Sequence, residues 1–239
     1  MTCRRTPSVT LQRRLLLRGS LLGGTLALAT TQAGCSTDTS RTTGSRPSTS
    51  ATGRARSPVL LAYFSRAGEN YYYGDRTDLE IGNTEVLARL VSQQLRAQGV
   101  DCVVYRIDAS DPYPNDYDAT VTRNVREQDA DARPEIANPL ASIDDYDDVL
   151  IGSPIWNVRP PMTMRTFAES HDFSGKTVHP FTTHAMSGLG TAERDYATAC
   201  RGATIGQGLS VRGEEVRDAG PPAVASWLAG INLTGGTRP

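Results

Sequence analysis

Apolar and polar residues come in blocks whose spacing switches repeatedly between strand and helix. Val59-Leu60-Leu61-Ala62-Tyr63-Phe64 is an unbroken apolar run that ends at Ser65, the pattern of a strand covered on both faces. Val86, Leu87, Leu90, Val91 and Leu95 then recur at helical spacing, and Gly99 can end that helix. Val103 to Ile107 gives a second strand, and Asp111-Pro112-Tyr113-Pro114 breaks the chain before a polar helix from about Tyr117 to Asp129. Strands at Asp148 to Gly152, Thr177 to Thr183 and near Ala203 to Leu209 alternate with helices at Met164 to Ser170, Thr191 to Cys200 and Val216 to Ala229. Five βα steps of this kind predict an α/β domain, a doubly wound five-stranded parallel sheet between two helical layers, with right-handed crossovers.

The first 57 residues follow another pattern. Arg13-Arg14-Leu15-Leu16-Leu17-Arg18 and the short apolar stretch from Leu21 to Ala29 read as the basic and hydrophobic regions of an export signal, too short for a comfortable membrane span. The arginine pair resembles a twin-arginine signal, and Ala33-Gly34-Cys35 resembles the end of a lipoprotein box, which marks Cys35 for lipidation. Residues 1–35 are thus expected to be a leader, and the Ser/Thr-rich residues 36–57 a flexible tether with too little apolar surface to order itself. The folded domain is expected at 58–235. Exported, extracytoplasmic placement follows, with membrane attachment only through a lipid anchor.

Charge separates the same parts. Residues 1–57 carry nine Arg and one Asp, whereas 16 Lys and Arg face 25 Asp and Glu from Pro58 onward, a net of −9. An acidic body argues against nucleic acid as partner and favours proteins with basic docking faces. Cys102 and Cys200 are the two cysteines beyond the leader, and they fall on opposite sides of the predicted sheet, too far apart for a disulfide. His171, His179 and His184 are scattered, and no metal-ligand spacing is present.

Three loops at the carboxyl ends of the strands carry unusual chemistry. Ser65-Arg66-Ala67-Gly68 closes the first strand and Ile81-Gly82-Asn83-Thr84 opens the first helix, offering hydroxyl and amide donors and a helix N-terminus to a phosphate. A serine-ended strand with an ordinary helix cap at Asn83 is the competing reading. Gly152-Ser153-Pro154-Ile155-Trp156-Asn157 places a flat ring at a strand end, either to stack on a ligand or to cap the surface. Thr183-His184-Ala185-Met186-Ser187-Gly188-Leu189-Gly190 follows the fourth strand; His184 there either contacts a ligand or bonds a nearby carbonyl.

These segments, in this order, resemble the flavodoxin family, in the branch whose phosphate loop is split into Ser-Arg-x-Gly-Glu-Asn and Gly-Asn-Thr-Glu, over roughly residues 58 to 230. The resemblance implies strand order 2-1-3-4-5 and bound FMN. It implies phosphate binding by Ser65, Arg66, Ala67, Asn83 and Thr84, with the backbone amides of Arg66, Ala67 and Gly68 turned inward. Ser153, Pro154, Ile155, Trp156 and Asn157 would face the flavin on one side, and Thr183, His184, Ser187 and Gly188 would meet its pyrimidine side. Asn157 stands where the family needs a backbone that tolerates positive φ. No aromatic residue lies between Thr182 and Arg194 to form the second wall found in many flavodoxins, which leaves the outer face open or covered by His184 or Met186. Electron transfer is the implied work, with no catalytic side chain. An NAD(P)H-dependent FMN or quinone reductase and a cofactor-free binding lipoprotein are the alternatives. The residues inserted between the two half-loops, Tyr71-Tyr72-Tyr73-Gly74 and Asp78 to Ile81, alternate like a hairpin arm that folds over the cofactor edge or serves as a docking surface.

Overall fold

The computed structural model describes residues 57–231 and 233. The leader, the lipidation residue Cys35 and nearly all of the tether lie outside the described residues. Strands β1 (Val59–Tyr63), β4 (Cys102–Arg106), β5 (Asp148–Pro154), β6 (Thr177–His184), β7 (Thr204–Ile205) and β8 (Leu209–Arg212) form one sheet, and β2 (Gly68–Tyr72) and β3 (Asp75–Leu79) form a separate antiparallel hairpin. All pairs in the main sheet are parallel, in the order β4-β1-β5-β6, with β7 and β8 both paired to β6. This is the 2-1-3-4-5 order, with the fifth position occupied by two short pieces.

Side-chain alternation splits β1 between two cores. Leu60 and Ala62 join Val149, Ile151, Phe167, Phe173 and Tyr196 on the face covered by α3 (Met162–Glu169) and α4 (Ala192–Ala199). Val59 and Leu61 join Leu87, Val91, Phe181 and Trp227 on the face covered by α1 (Asn83–Ala97) and α5 (Gly220–Ile231). Both faces of β1 are therefore dry, which its unbroken apolar run required. Cys102 packs at the second core and Cys200 lies within the first, and both are free thiols. Helix α2 (Tyr117–Asp129), capped by the Asp116 carboxylate on the Ala119 amide at 2.7 Å, buries only the polar Thr120 and Asn124.

One local departure from the sequence expectation has an identifiable cause, and the expected hairpin arm is present. The fifth strand, expected near Ala203 to Leu209, is instead broken into 204–205 and 209–212. Pairing runs Val178 with Ile205 and then Phe181 with Leu209, so the edge carries one extra residue opposite His179-Pro180. Val178 accepts the Gly206 amide on this edge, and Pro180, two residues on, has no N–H to offer the same side. The freed Gln207 carbonyl accepts the Trp227 indole at 3.0 Å and lies 3.3 Å from His179 Nδ1. The inserted segment is the β2–β3 hairpin. Tyr73 and Gly74 both take positive φ, 47° and 97°, the requirement of the two-residue turn that matches strand twist.

Candidate functional site

A crevice of about 270 Å³ opens at the carboxyl ends of β1, β5 and β6, closed on one side by the hairpin and α2. Ser65 is buried at its base, and its Oγ accepts the Glu85 amide at 3.0 Å, so the strand-ending serine ties off one of the free amides of α1. Asn83 and Thr84, the first two residues of α1, line the crevice and bring the positive end of the helix dipole to it. Thr84 Oγ1 meets Thr183 Oγ1 at 2.7 Å, joining α1 to β6 across the floor. Close approach is possible because residue 82 is glycine; a Cβ there would lie 2.3 Å from the Arg66 carbonyl oxygen.

Arg66 lines the crevice while its guanidinium donates to the carbonyls of Pro114 and Asn115, each at 2.9 Å, and to that of Glu69. It therefore clasps the hairpin base to the loop before α2. Its Nε is buried without a partner, and burial lowers its basicity, opposed by Glu69. Ala67 and Gly68 do not line the crevice, and Gly68 opens β2 in register with Leu79.

On the second side, Pro154, Ile155, Trp156 and Asn157 line the crevice. Trp156 is half-buried, edge-on to Tyr113 at 5.1 Å and to Phe64 at 5.7 Å, so it is anchored on core aromatics as well as facing the crevice. Its amide and carbonyl exchange hydrogen bonds with Arg159 at 2.9 and 3.2 Å, closing a turn in which Asn157 and Val158 have φ of 47° and 65°. Gln128 of α2 holds this turn, donating to the Trp156 carbonyl at 3.2 Å and accepting from Asn157 Nδ2 at 3.0 Å. Ser153 points elsewhere; it is fully buried within β5 and absent from the crevice wall.

Thr183, His184 and Ser187 line the third side, whereas Gly188 does not and lends its carbonyl to the Thr182 hydroxyl at 3.1 Å. His184 Nδ1 is buried without a partner, and burial, aided by Arg212, lowers the imidazole pKa. Met186 stands 79 % exposed at the mouth.

Several wall residues carry no sequence signal that singles them out. Asn70 and Tyr71 come from the hairpin, Tyr117, Thr120, Val121 and Asn124 from α2, and Gly213 and Glu214 from the end of β8. Glu214 Oε1 accepts the Tyr73 amide at 3.3 Å, linking the hairpin tip to the β8 end, while Oε2 is buried without a partner. Arg217 donates to Asn83 Oδ1 at 3.0 Å, a cation beside the start of α1. The α2 contribution had no such signal, because the apolar pair Val121 and Val125 is exposed while the polar Thr120 and Asn124 are buried.

The family model for flavodoxin matches residues 82–229, well over half of the chain. A candidate flavoprotein from Bacteroides uniformis ATCC 8492, known at 1.50 Å, is 29 % identical, with 73 % of this chain and 99 % of that one covered and a TM-score of 0.56. A second, from Bacteroides eggerthii DSM 20697, is 26 % identical, with 74 % and 98 % covered and a TM-score of 0.57. A flavoprotein from Lactobacillus acidophilus NCFM, solved in complex with FMN, is 20 % identical, with 68 % and 97 % covered and a TM-score of 0.47. No curated protein matches the chain. The match of sequence model and strand order together places this chain in the flavodoxin family.

Proposed function

We propose that the crevice binds FMN and that the protein is an electron-transfer flavoprotein that works outside the cytoplasm. The observation that carries this reading is that three of the residues lining one crevice, Arg66, His184 and Glu214, each hold a buried polar atom without a partner, Nε, Nδ1 and Oε2 respectively. A buried donor or acceptor left unmade costs about 1–3 kcal/mol, so such atoms mark where a polar ligand belongs. Ser65, Asn83, Thr84 and the start of α1 suit a phosphate, with Arg66 supplying the nearby charge. Trp156 suits a planar ring, held in place by its edge contacts to Tyr113 and Phe64. The flavin supplies the redox chemistry when bound, and the chain's own task is to orient it, exclude water and set the local charge.

The leader supports export, and the −9 charge of the remaining chain supports a redox partner with a basic docking face. An NAD(P)H-dependent reductase of FMN or a quinone is the second reading. It is favoured by the mouth: Met186 is exposed, and no aromatic residue of the loop after β6 covers it, which leaves room for a second flat molecule.

Purified full-length protein is expected to be yellow or to gain flavin absorbance when titrated with FMN; protein that stays colourless removes the proposal. Trp156→Ala is expected to weaken FMN binding by about 1–3 kcal/mol, the scale of ring stacking and burial, read as the dissociation constant by fluorescence titration. Anaerobic mixing with NADPH separates the two readings. Negligible NADPH oxidation supports the shuttle, and stoichiometric oxidation supports the reductase.

A further inference from the structure

A second cavity, of about 210 Å³, opens between the start of α3 and one side of α4, and none of its residues lines the crevice. Its floor is apolar, from the buried Pro160, Pro161, Met162 and Tyr196. Its rim carries Arg159, Arg165 and Arg194, in a domain that is acidic overall. Arg165 is committed, at 2.7 Å each, to Glu169 and Asp131. Arg159 and Arg194 share one carboxylate, Asp195, loosely: Arg159 reaches it at 3.4 Å and Arg194 at 3.8 Å, while the Thr191 hydroxyl occupies it at 2.6 Å. Among the described residues these two guanidinium groups thus have one carboxylate between them above an apolar floor, and the Arg194 side chain is 74 % exposed, placed to close over a ligand.

We propose that this cavity binds a small planar organic anion, an aromatic carboxylate, with its ring on the Pro160, Met162 and Tyr196 floor and its carboxylate between Arg159 and Arg194. Guanidinium pairs favour a carboxylate over a neutral group of the same shape, and flat rings suit a floor of proline and tyrosine rings. The volume admits one such molecule. Occupancy is transmitted to the crevice through one turn. The Arg159 backbone exchanges two hydrogen bonds with the Trp156 backbone, the Val158 carbonyl accepts the Thr191 amide at 2.9 Å, and the Arg159 side chain reaches Asp195 of α4, so a ligand that pulls the Arg159 side chain and α4 together strains the turn that carries Trp156. Such coupling is reciprocal: FMN and the anion alter each other's affinity by one factor.

The test is calorimetric titration of the full-length protein with 1-naphthoate. Saturable binding is expected, with 1-naphthamide at least about tenfold weaker because it lacks the charge that the arginines recognise. Arg194→Glu, at an exposed position, is expected to abolish binding while leaving the thermal midpoint unchanged. Excess FMN is expected not to displace 1-naphthoate, and saturating 1-naphthoate to shift the FMN dissociation constant by about fivefold or more. Absence of saturable heat, equal binding of the amide, undiminished binding to Arg194→Glu, or displacement by FMN overturns the site. An unchanged FMN dissociation constant overturns the coupling. Protein that takes up no FMN but binds 1-naphthoate refutes the flavin reading and leaves the second site standing.

Discussion

Val158 holds a φ of 65° on a β-branched side chain that is 55 % exposed. The left-handed region costs a residue of this kind about 1–2 kcal/mol, and little burial offsets it here. Val158→Asn is therefore expected to stabilise the domain by about 1 kcal/mol, read from the urea midpoint, because Asn tolerates that backbone. The three histidines define a second consequence at this scale. Burial lowers the pKa of His171, His179 and His184 in the folded chain. As pH falls through the ordinary imidazole range, the unfolded chain takes up these protons first, so the histidine contribution to stability is complete above that range and is lost as pH drops through the folded values. The urea midpoint is expected to decline between about pH 7 and pH 5, and His179→Gln to flatten that slope. Glu169, pulled down to about 2 chiefly by its hydrogen bond to Arg133, acts in a separate, more acid window. A midpoint flat from neutral to mildly acid pH would refute the histidine account.

At the scale of elements, the edge strand shows how one residue redirects a neighbour. Pro180 denies β7–β8 a donor, and the Gln207 carbonyl turns to the Trp227 indole instead. Trp227→Phe keeps most of the ring packing against Phe181 but removes the indole donor and leaves that carbonyl only the longer contact to His179 Nδ1, and a loss of about 1 kcal/mol is expected. Faster hydrogen exchange confined to 204–212 would accompany it. The break is readable afterwards from a His-Pro pair inside a strand; the segment near Ala203 to Leu209 alone reads as one continuous piece. The order of elements was legible because each strand is an apolar run bounded by turn residues. The Trp156 anchor was not: two prolines beside it suggest a surface position, whereas its edge contacts are with Phe64 and Tyr113, far away in sequence. The α2 and hairpin walls were hidden for the same reason, since periodicity reports which face of an element is dry and not which element stands opposite. Residues at strand ends were better placed by sequence, because parallel topology gathers carboxyl ends at one edge.

For the whole molecule, charge is the property that sequence conveys most directly. A net of −9 beyond residue 57 should steer a basic redox protein toward the domain, so the bimolecular rate of electron transfer to such a partner is expected to fall as salt is raised from about 10 to 150 mM, over which the screening length shrinks from about 30 to 8 Å. A rate indifferent to salt, measured by stopped flow, would remove the electrostatic docking reading. Assembly adds something charge does not. The Arg66 side chain that borders the crevice also gathers three backbone carbonyls from the hairpin base and the approach to α2. The inserted arm and the crevice-lining loop are consequently tied by one side chain: whatever organises the loop also shields the arm's backbone, and resistance of residues 70–78 to proteolytic nicking becomes a gauge of whether the crevice is filled.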